Sequence, residues 1–473
     1  MWCVEVVKEE LFLKIYFDQH VVLPKNREQQ ASLAASVQLC NVIAQYHIFY
    51  TNMDKPRAIF PLLQAYIQRY PVTVITGPRL SGKTTIARAA LKSTGSFHFS
   101  MDSPVYRLRA QQDPEEFLRK CQPKAVIAEA HRVPELLPHI PSFVNAHPDN
   151  RLVLLSSQRI EDPSIFPSEL TDQIGFLTLM PFGVEENPLI KEQSQSLVQA
   201  CWQGGYPRML FPTPSRLNLQ LTQYIHTYIE QDVLQLKGVG DTTHFLYFLK
   251  RCAHRVGELL NLTTLAKECG IAVNTAKAWL SVLETSYMVY RLPPYPHGFG
   301  HRVVKAPKLY FCDTGILCYL LDIHSADLVE GHELYEKIAE NFMLNEVMRL
   351  FHHRGESVNS IYFWRDHRGF EVDCLIEHDG KLRAIEFQPC TTESAIDFRE
   401  IERWKVLTGS NRLEDFIVYG GQPPKERRET WVFSWLDTIS ALNAVIVRDL
   451  GKILNPEVHR PLEKKSKKKS KSK

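Results

Sequence analysis

The chain has 473 residues, of which 44% are hydrophobic and 23% charged, with a formal net charge of +3. That is enough apolar material for several domains with their own cores, and no apolar run reaches the roughly 18 residues needed to cross a membrane. The closing stretch Lys464–Lys473 holds seven lysines and no acid, so removing it takes the charge from +3 to −4, and the basicity belongs to a tail.

The opening segment Met1–Ile15 is mildly apolar but carries Glu5, Lys8, Glu9 and Glu10, which a secretory leader would not tolerate. Ten cysteines are scattered without a C-x-x-C pair, so free thiols in a reducing, cytoplasmic setting are expected. In chain order, Ala58–Tyr70 reads as an amphipathic helix and Pro71–Thr76 as a short β-branched strand. A helix over Ser81–Ser93 follows, and strands are expected at Phe97–Met101, Ala125–Ala128 and Leu152–Ser156 with helices between them. This alternation predicts an α/β fold with a mostly parallel sheet covered on both faces.

After Gly204–Pro207 the pattern turns helical: Leu217–Leu236, Thr243–Arg255, and a close pair at Thr263–Gly270 and Asn274–Met288. Strands then return at Lys308–Cys312, Ser360–Trp364, Glu371–Glu377 and Leu382–Gln388, with a long helix expected over Leu334–Phe351. Asp379-Gly380 is a hairpin signal between the last two strands.

The sharpest motif is Gly77-Pro78-Arg79-Leu80-Ser81-Gly82-Lys83-Thr84, a full match to G-x-x-x-x-G-K-[ST] between an expected strand and an expected helix. In that setting the loop's N–H groups and the helix N-terminus gather phosphate oxygens. Lys83 reaches the outer phosphates of ATP, the Thr84 hydroxyl binds Mg²⁺, and Thr85 completes the cofactor-binding stretch. Glu129, closing the run Ala125–Ala128, is the candidate that activates water, while Ser157 and Gln158 are candidates for γ-phosphate contact or for simple strand capping. The metal-supporting carboxylate that would precede Glu129 is absent, because Ala128 stands there.

Together with MDSP at Met101–Pro104, EAHRVPELL at Glu129–Leu137, LLSSQ at Leu154–Gln158 and GGYP, this loop resembles an AAA-type ATPase family. In that family a C-terminal domain of unknown function (family 4143) follows the ATPase. TAKAWLSVLE at Thr275–Glu284, VKAPKLYFCDTGIL at Val304–Leu317 and FWRDHRGFEVDCLIE at Phe363–Glu377 extend the resemblance. It covers about Met53 to Trp435. The resemblance implies Asp where Ala128 stands and a Gly-Arg pair where Asp172-Gln173 stand, so nucleotide binding is expected intact and hydrolysis weakened. Relatives of this type assemble into rings, which makes an oligomer a candidate state.

Two further features bear on partners. Leu262–Gly270 followed by Asn274–Tyr287 has helix-turn-helix form, resembling a winged helix, with Asn274, Thr275 and Lys277 on the second helix. His301, Arg302, Lys305 and Lys308 then form a candidate basic wing. DNA is therefore a candidate partner, through this element or the lysine tail, against the alternative of a helical lid on the ATPase. In the C-terminal part, Glu340, Asp373 and Glu386 resemble the D…E-x-K carboxylates of restriction endonucleases, which hold Mg²⁺, but Gln388 replaces the lysine, so cleavage is not expected. The expected organisation is an unassigned extension over 1–52, a P-loop ATPase domain over 53–204, and a helical, winged-helix-like section over 205–307. A restriction-endonuclease-like domain over 308–447 and a lysine-rich disordered tail over 448–473 complete it. The expected function is ATP binding with weak Mg²⁺-dependent hydrolysis; the alternatives are an ATP-binding switch without turnover and a DNA-binding regulator.

Overall fold

The computed structural model describes residues 57–442, apart from 92–94, 161–162, 194, 211–213, 234–240, 379, 410–414, 424–430 and 439–441. The expected extension over 1–52 and the lysine tail lie outside the described residues.

The first sheet has five parallel strands: β1 (Val72–Thr76), β2 (Phe97–Ser100), β3 (Lys124–Ala128), β4 (Arg151–Ser156) and β5 (Ile174–Thr178). Their order is β2-β3-β4-β1-β5, so β1 lies between β4 and β5. Side chains alternate between the two faces, and the two cores record it. Val72, Val74, Ala125, Ile127, Leu152 and Leu154 enter one core with Phe117 and Phe143. Ile75, Val126, Val153 and Leu155 enter the other, with Leu62, Leu63, Ile86 and Leu91 from the helices Phe60–Arg69 and Lys83–Leu91. Each such side chain contributes about 1.5–3 kcal/mol on leaving water, which is why a run as short as VTVIT, buried at all five positions, is a strand at all.

The helical section follows. The expected helix Leu217–Leu236 runs instead over Pro214–Tyr228 and widens into a π-helical turn at Ile229–Val233. The helix Thr242–Ala253 is capped by Asp241. The expected pair forms at Leu262–Glu268 and Val273–Thr285, capped at its start by Asn261, with Gly270 at φ +65° making the turn. Leu265, Ala266, Ala276, Trp279, Leu280 and Leu283 share one core, as the spacing predicts. An antiparallel ribbon of β6 (Val289–Leu292) and β7 (Lys308–Phe311) completes this part. The break expected at 308 therefore falls inside the ribbon.

The last sheet is mixed. Strands β8 (Ile361–Arg365), β9 (Glu371–His378) and β10 (Lys381–Gln388) pair antiparallel, and β11 (Phe416–Tyr419) and β12 (Trp431–Ser434) add in parallel, in the order β12-β11-β10-β9-β8. The helix Tyr335–Arg354 is buried over most of its length, so its sequence carries almost no amphipathic signal.

One expectation is corrected by charge. Lys308 is not part of a basic wing, because it is fully buried and its ammonium is paired with Glu340 and Glu371. His301 is also engaged, with Asp366 at 3.1 Å. Arg302 and Lys305 remain exposed. The described residues contain no helix long and apolar enough to cross a membrane.

Candidate functional site

The phosphate loop leaves the C-terminal end of β1, and the helix that follows begins at Lys83. Gly77 has φ +142°, and a Cβ there would lie 2.2 Å from the carbonyl oxygen of Leu179. Only glycine can take the chain through this point. Leu80 and Gly82 also have positive φ, at 63° and 97°, so the loop turns repeatedly within a few residues. Its frame is held from outside. Arg57 donates to the Ser81 carbonyl at 2.8 Å and pairs with buried Glu186 at 2.9 Å. Burial alone would raise the Glu186 carboxyl, but Arg57 holds it down at about 2.

Lys83 is buried, and its ammonium donates to the carbonyls of Gly77 at 2.8 Å and Pro78 at 2.7 Å. Burial pulls its pKa down to about 8, with nearby Glu129 opposing the shift. Ser81 Oγ is buried and has no hydrogen-bond partner among the described residues. A buried ammonium resting on carbonyls and a left-handed glycine that admits no Cβ match the chemistry of a triphosphate cradle. Thr84 is half-buried at the helix start, where its hydroxyl would join a Mg²⁺ shell; Thr85 is exposed.

Glu129 lies at the end of β3, one strand away from β1 across β4. Its backbone is left-handed, at φ 56° and ψ 43°, a conformation that a non-glycine residue seldom takes and that often marks a functional position. Its carboxylate accepts from the Ser157 hydroxyl at 2.6 Å and from the Ser157 N–H at 3.3 Å. Burial would raise its pKa, but Lys83, Arg79 and His131 together hold it below the ordinary carboxylate value. Ser157 thus orients Glu129, a role distinct from the phosphate contact and the strand capping expected from the sequence. Ala128 is half-buried at the end of β3, and its carbonyl accepts from Met101 N–H. Gln173 sits elsewhere. Its carbonyl accepts from the N–H of Val72, at the opposite end of β1 from the loop, so within one chain this position cannot reach the loop.

Residues invisible to local sequence reading close around the loop. Tyr287 donates to Thr76 Oγ1 at 2.7 Å, immediately before Gly77. Arg79 pairs with Asp232, carried by the π-helical turn. These contacts join positions 211 and 153 residues apart, and no local signal marks Tyr287 or Asp232 as a partner of the loop.

The second set of candidate residues lies in the C-terminal sheet. Glu340 is buried, accepts from Tyr310, and pairs with Lys308 at 3.1 Å and Lys337 at 2.7 Å. Ligand atoms of Glu340, Glu371 and Asp373 lie within 4.8 Å of one another. Asp373 accepts from the Phe387 N–H at 3.0 Å, and Glu386 lies against it. Burial, reinforced by neighbouring acids, pushes both Asp373 and Glu386 above the ordinary range, while Lys308 and Lys337 hold Glu340 down against burial. Gln388 does not join the acids: its amide donates to the Asp397 carbonyl at 2.6 Å and accepts from the Asp397 N–H at 2.8 Å. The ammonium groups at this cluster come from Lys308 and Lys337, not from the Gln388 position. Glu371, which the sequence did not single out, takes a place beside Glu340 and Asp373.

Three family models match the chain: an AAA domain over residues 69–187, a domain of unknown function (8612) over 194–327, and a domain of unknown function (4143) over 335–437. Uncharacterised proteins of Mycobacterium tuberculosis and Mycobacterium bovis are each 27% identical over 335 residues, spanning 70% of this chain and 73% of theirs. Among solved structures, a Walker-type ATPase of Pyrococcus abyssi is 12% identical, with a TM-score of 0.37, covering 56% of this chain and 94% of that one. The Thermotoga maritima RuvB Holliday junction branch migration motor is 19% identical, with a TM-score of 0.25, covering 47% of this chain and 82% of that one. The loop and the parallel sheet agree with the matched models: residues 69–187 match an AAA domain and fold around a P-loop, and residues 335–437 match a domain of unknown function of the 4143 family.

Proposed function

We propose that the protein binds MgATP at Gly77–Thr84 and turns it over slowly, acting as a nucleotide-dependent switch. The observation that carries this reading is the buried Lys83 ammonium at a helix start, within electrostatic reach of Glu129, whose backbone is left-handed. Lys83 and the loop amides hold phosphate, Thr84 holds the metal, and Glu129, oriented by Ser157, takes the proton of an attacking water. Magnesium, when bound, supplies charge neutralisation at the outer phosphates. What slows the reaction is the apolar side chain at Ala128, which cannot orient the metal's water shell.

Steady-state phosphate release tests this. Ala128→Asp should raise turnover about tenfold, a change of about 1.4 kcal/mol in the barrier. An unchanged rate in a folded Ala128→Asp protein would remove Ala128 from the metal-supporting role. The DNA reading has less support from the geometry. Lys277 and Asn274 are exposed on the second helix of the pair, but Trp279 is used in the core and Lys308 is buried in an ion network.

A further inference from the structure

Two arginines of the AAA domain converge on one carboxylate from outside it. Arg79, within the phosphate loop, grips Asp232 at two points, Nε to Oδ2 at 2.5 Å and Nη2 to Oδ1 at 3.0 Å. Arg132, three residues beyond Glu129, places Nη2 3.8 Å from the same Asp232 and Nε 3.2 Å from Asp102. The side chains are 13%, 6% and 4% exposed for Arg79, Arg132 and Asp232, whereas Asp102 is 45% exposed. With Lys83 and Glu129 nearby, the cations Arg79, Arg132 and Lys83 balance the anions Asp232, Asp102 and Glu129.

Stability does not account for this arrangement, because taking an ion pair out of water costs about as much as the attraction returns. The geometry resembles a binding event. A carboxylate held by the two-point fork of a guanidinium presents two oxygens as a terminal phosphate does. Asp232 sits on a π-helical turn, a wide and strained form that recurs at functional positions. That turn ends the helix Pro214–Tyr228, so displacement of Asp232 would move a long lever of the second section.

We propose that Asp232 is a tethered anion that occupies Arg79 and Arg132 in the absence of nucleotide. The terminal phosphate of ATP, but not ADP, displaces it. The helix Pro214–Tyr228 then reports which nucleotide is bound, and the two arginines supply within one chain the positive charge that Gln173 does not. This rests on the reading of Gly77–Thr84 as a nucleotide site. The ligand adds negative charge to a balanced cluster, and the release of Asp232 restores the balance.

The test uses the full chain, with calorimetric titrations of ADP and of the β,γ-imido analogue of ATP in the presence of Mg²⁺. Asp232→Asn should tighten the ATP analogue about tenfold and leave ADP unchanged. The wild-type chain should bind the ATP analogue more tightly than ADP through Arg79 and Arg132, and Arg132→Gln should remove that preference. Hydrogen exchange over residues 214–228 should speed up with the analogue and not with ADP, and should be fast without nucleotide in Asp232→Asn. Equal shifts for both nucleotides in Asp232→Asn, or exchange indifferent to the analogue, would overturn the proposal while leaving the nucleotide site standing. If the wild-type chain bound neither nucleotide, the reading of the loop would be the part that failed. Should Asp232→Asn not fold, Arg132→Gln decides alone: a preference that survives it overturns the proposal.

Discussion

Lys83→Ala should weaken ATP binding at least a hundredfold, and the turnover attributable to this chain should vanish with it. A hundredfold is about 2.7 kcal/mol, within reach of one charge-assisted contact to a phosphate in a partly dehydrated site. The fold should be indifferent. Among the described residues the ammonium donates to the carbonyls of Gly77 and Pro78, and burial already drags its pKa down to about 8. Removing it relieves desolvation as it removes those bonds, so the melting midpoint should stay within about two degrees. Loss of binding together with a collapsed melting temperature would instead mark Lys83 as a structural residue. The check is a paired nucleotide titration and thermal melt of the same preparation.

The second large effect concerns stability. Lys308→Met should destabilise the protein by about 3–5 kcal/mol, the usual cost of leaving a buried charge without its partner. Lys308 is fully buried, bonded to Glu340 and Glu371, and flanked by the rings of Tyr310 at 6.0 Å and Phe363 at 5.5 Å. Methionine keeps the volume and loses the charge. In the wild type Lys308 holds Glu340 below its ordinary carboxylate value, so Glu340 contributes stability above that value and loses it as pH falls through its folded pKa. Without Lys308, Lys337 is left to oppose the burial that raises Glu340. The Glu340 carboxyl then moves up, so the deficit should be greatest near neutral pH and shrink as pH falls towards 5. Thermal melts of Lys308→Met across that range, with Lys308→Met/Glu340→Gln as a partial rescue, check both magnitude and sign. A variant as stable as wild type at pH 7 would show that the ammonium does not balance these acids.

The legible parts of this molecule are those whose physics is local. β1, β3 and β4 announce themselves as β-branched or apolar runs because both faces of a parallel sheet are buried. The loop is readable because glycines at fixed spacing are a backbone requirement, which Gly77 against Leu179 makes explicit. β5 escaped notice because IGFLT has Gly175 near its start and an exposed Phe176 at its centre, and Gly175 is there because Tyr66 and Tyr70 leave no room for a Cβ. FIVY in β11 and WVFS in β12 are too short to separate from loop by pattern alone.

What sequence could not supply is partnership over distance. Lys308 reads as one of four basic residues in a stretch that could face phosphate, and its distant partners Glu340 and Glu371 turn it into a core residue. Asp232 carries no motif, yet it reaches a loop 153 positions earlier. Gln388 could be read as a degenerate catalytic position, and that reading holds only until its amide is seen committed to the backbone of Asp397.

The claim on which these expectations depend is that the turn after β1 is a nucleotide cradle. Calorimetric titration of the intact chain with ADP in the presence of magnesium addresses it most directly. One molecule per chain, bound with micromolar or tighter affinity and lost when magnesium is chelated and Lys83 is replaced together, is the predicted result. A flat thermogram from folded protein would contradict it.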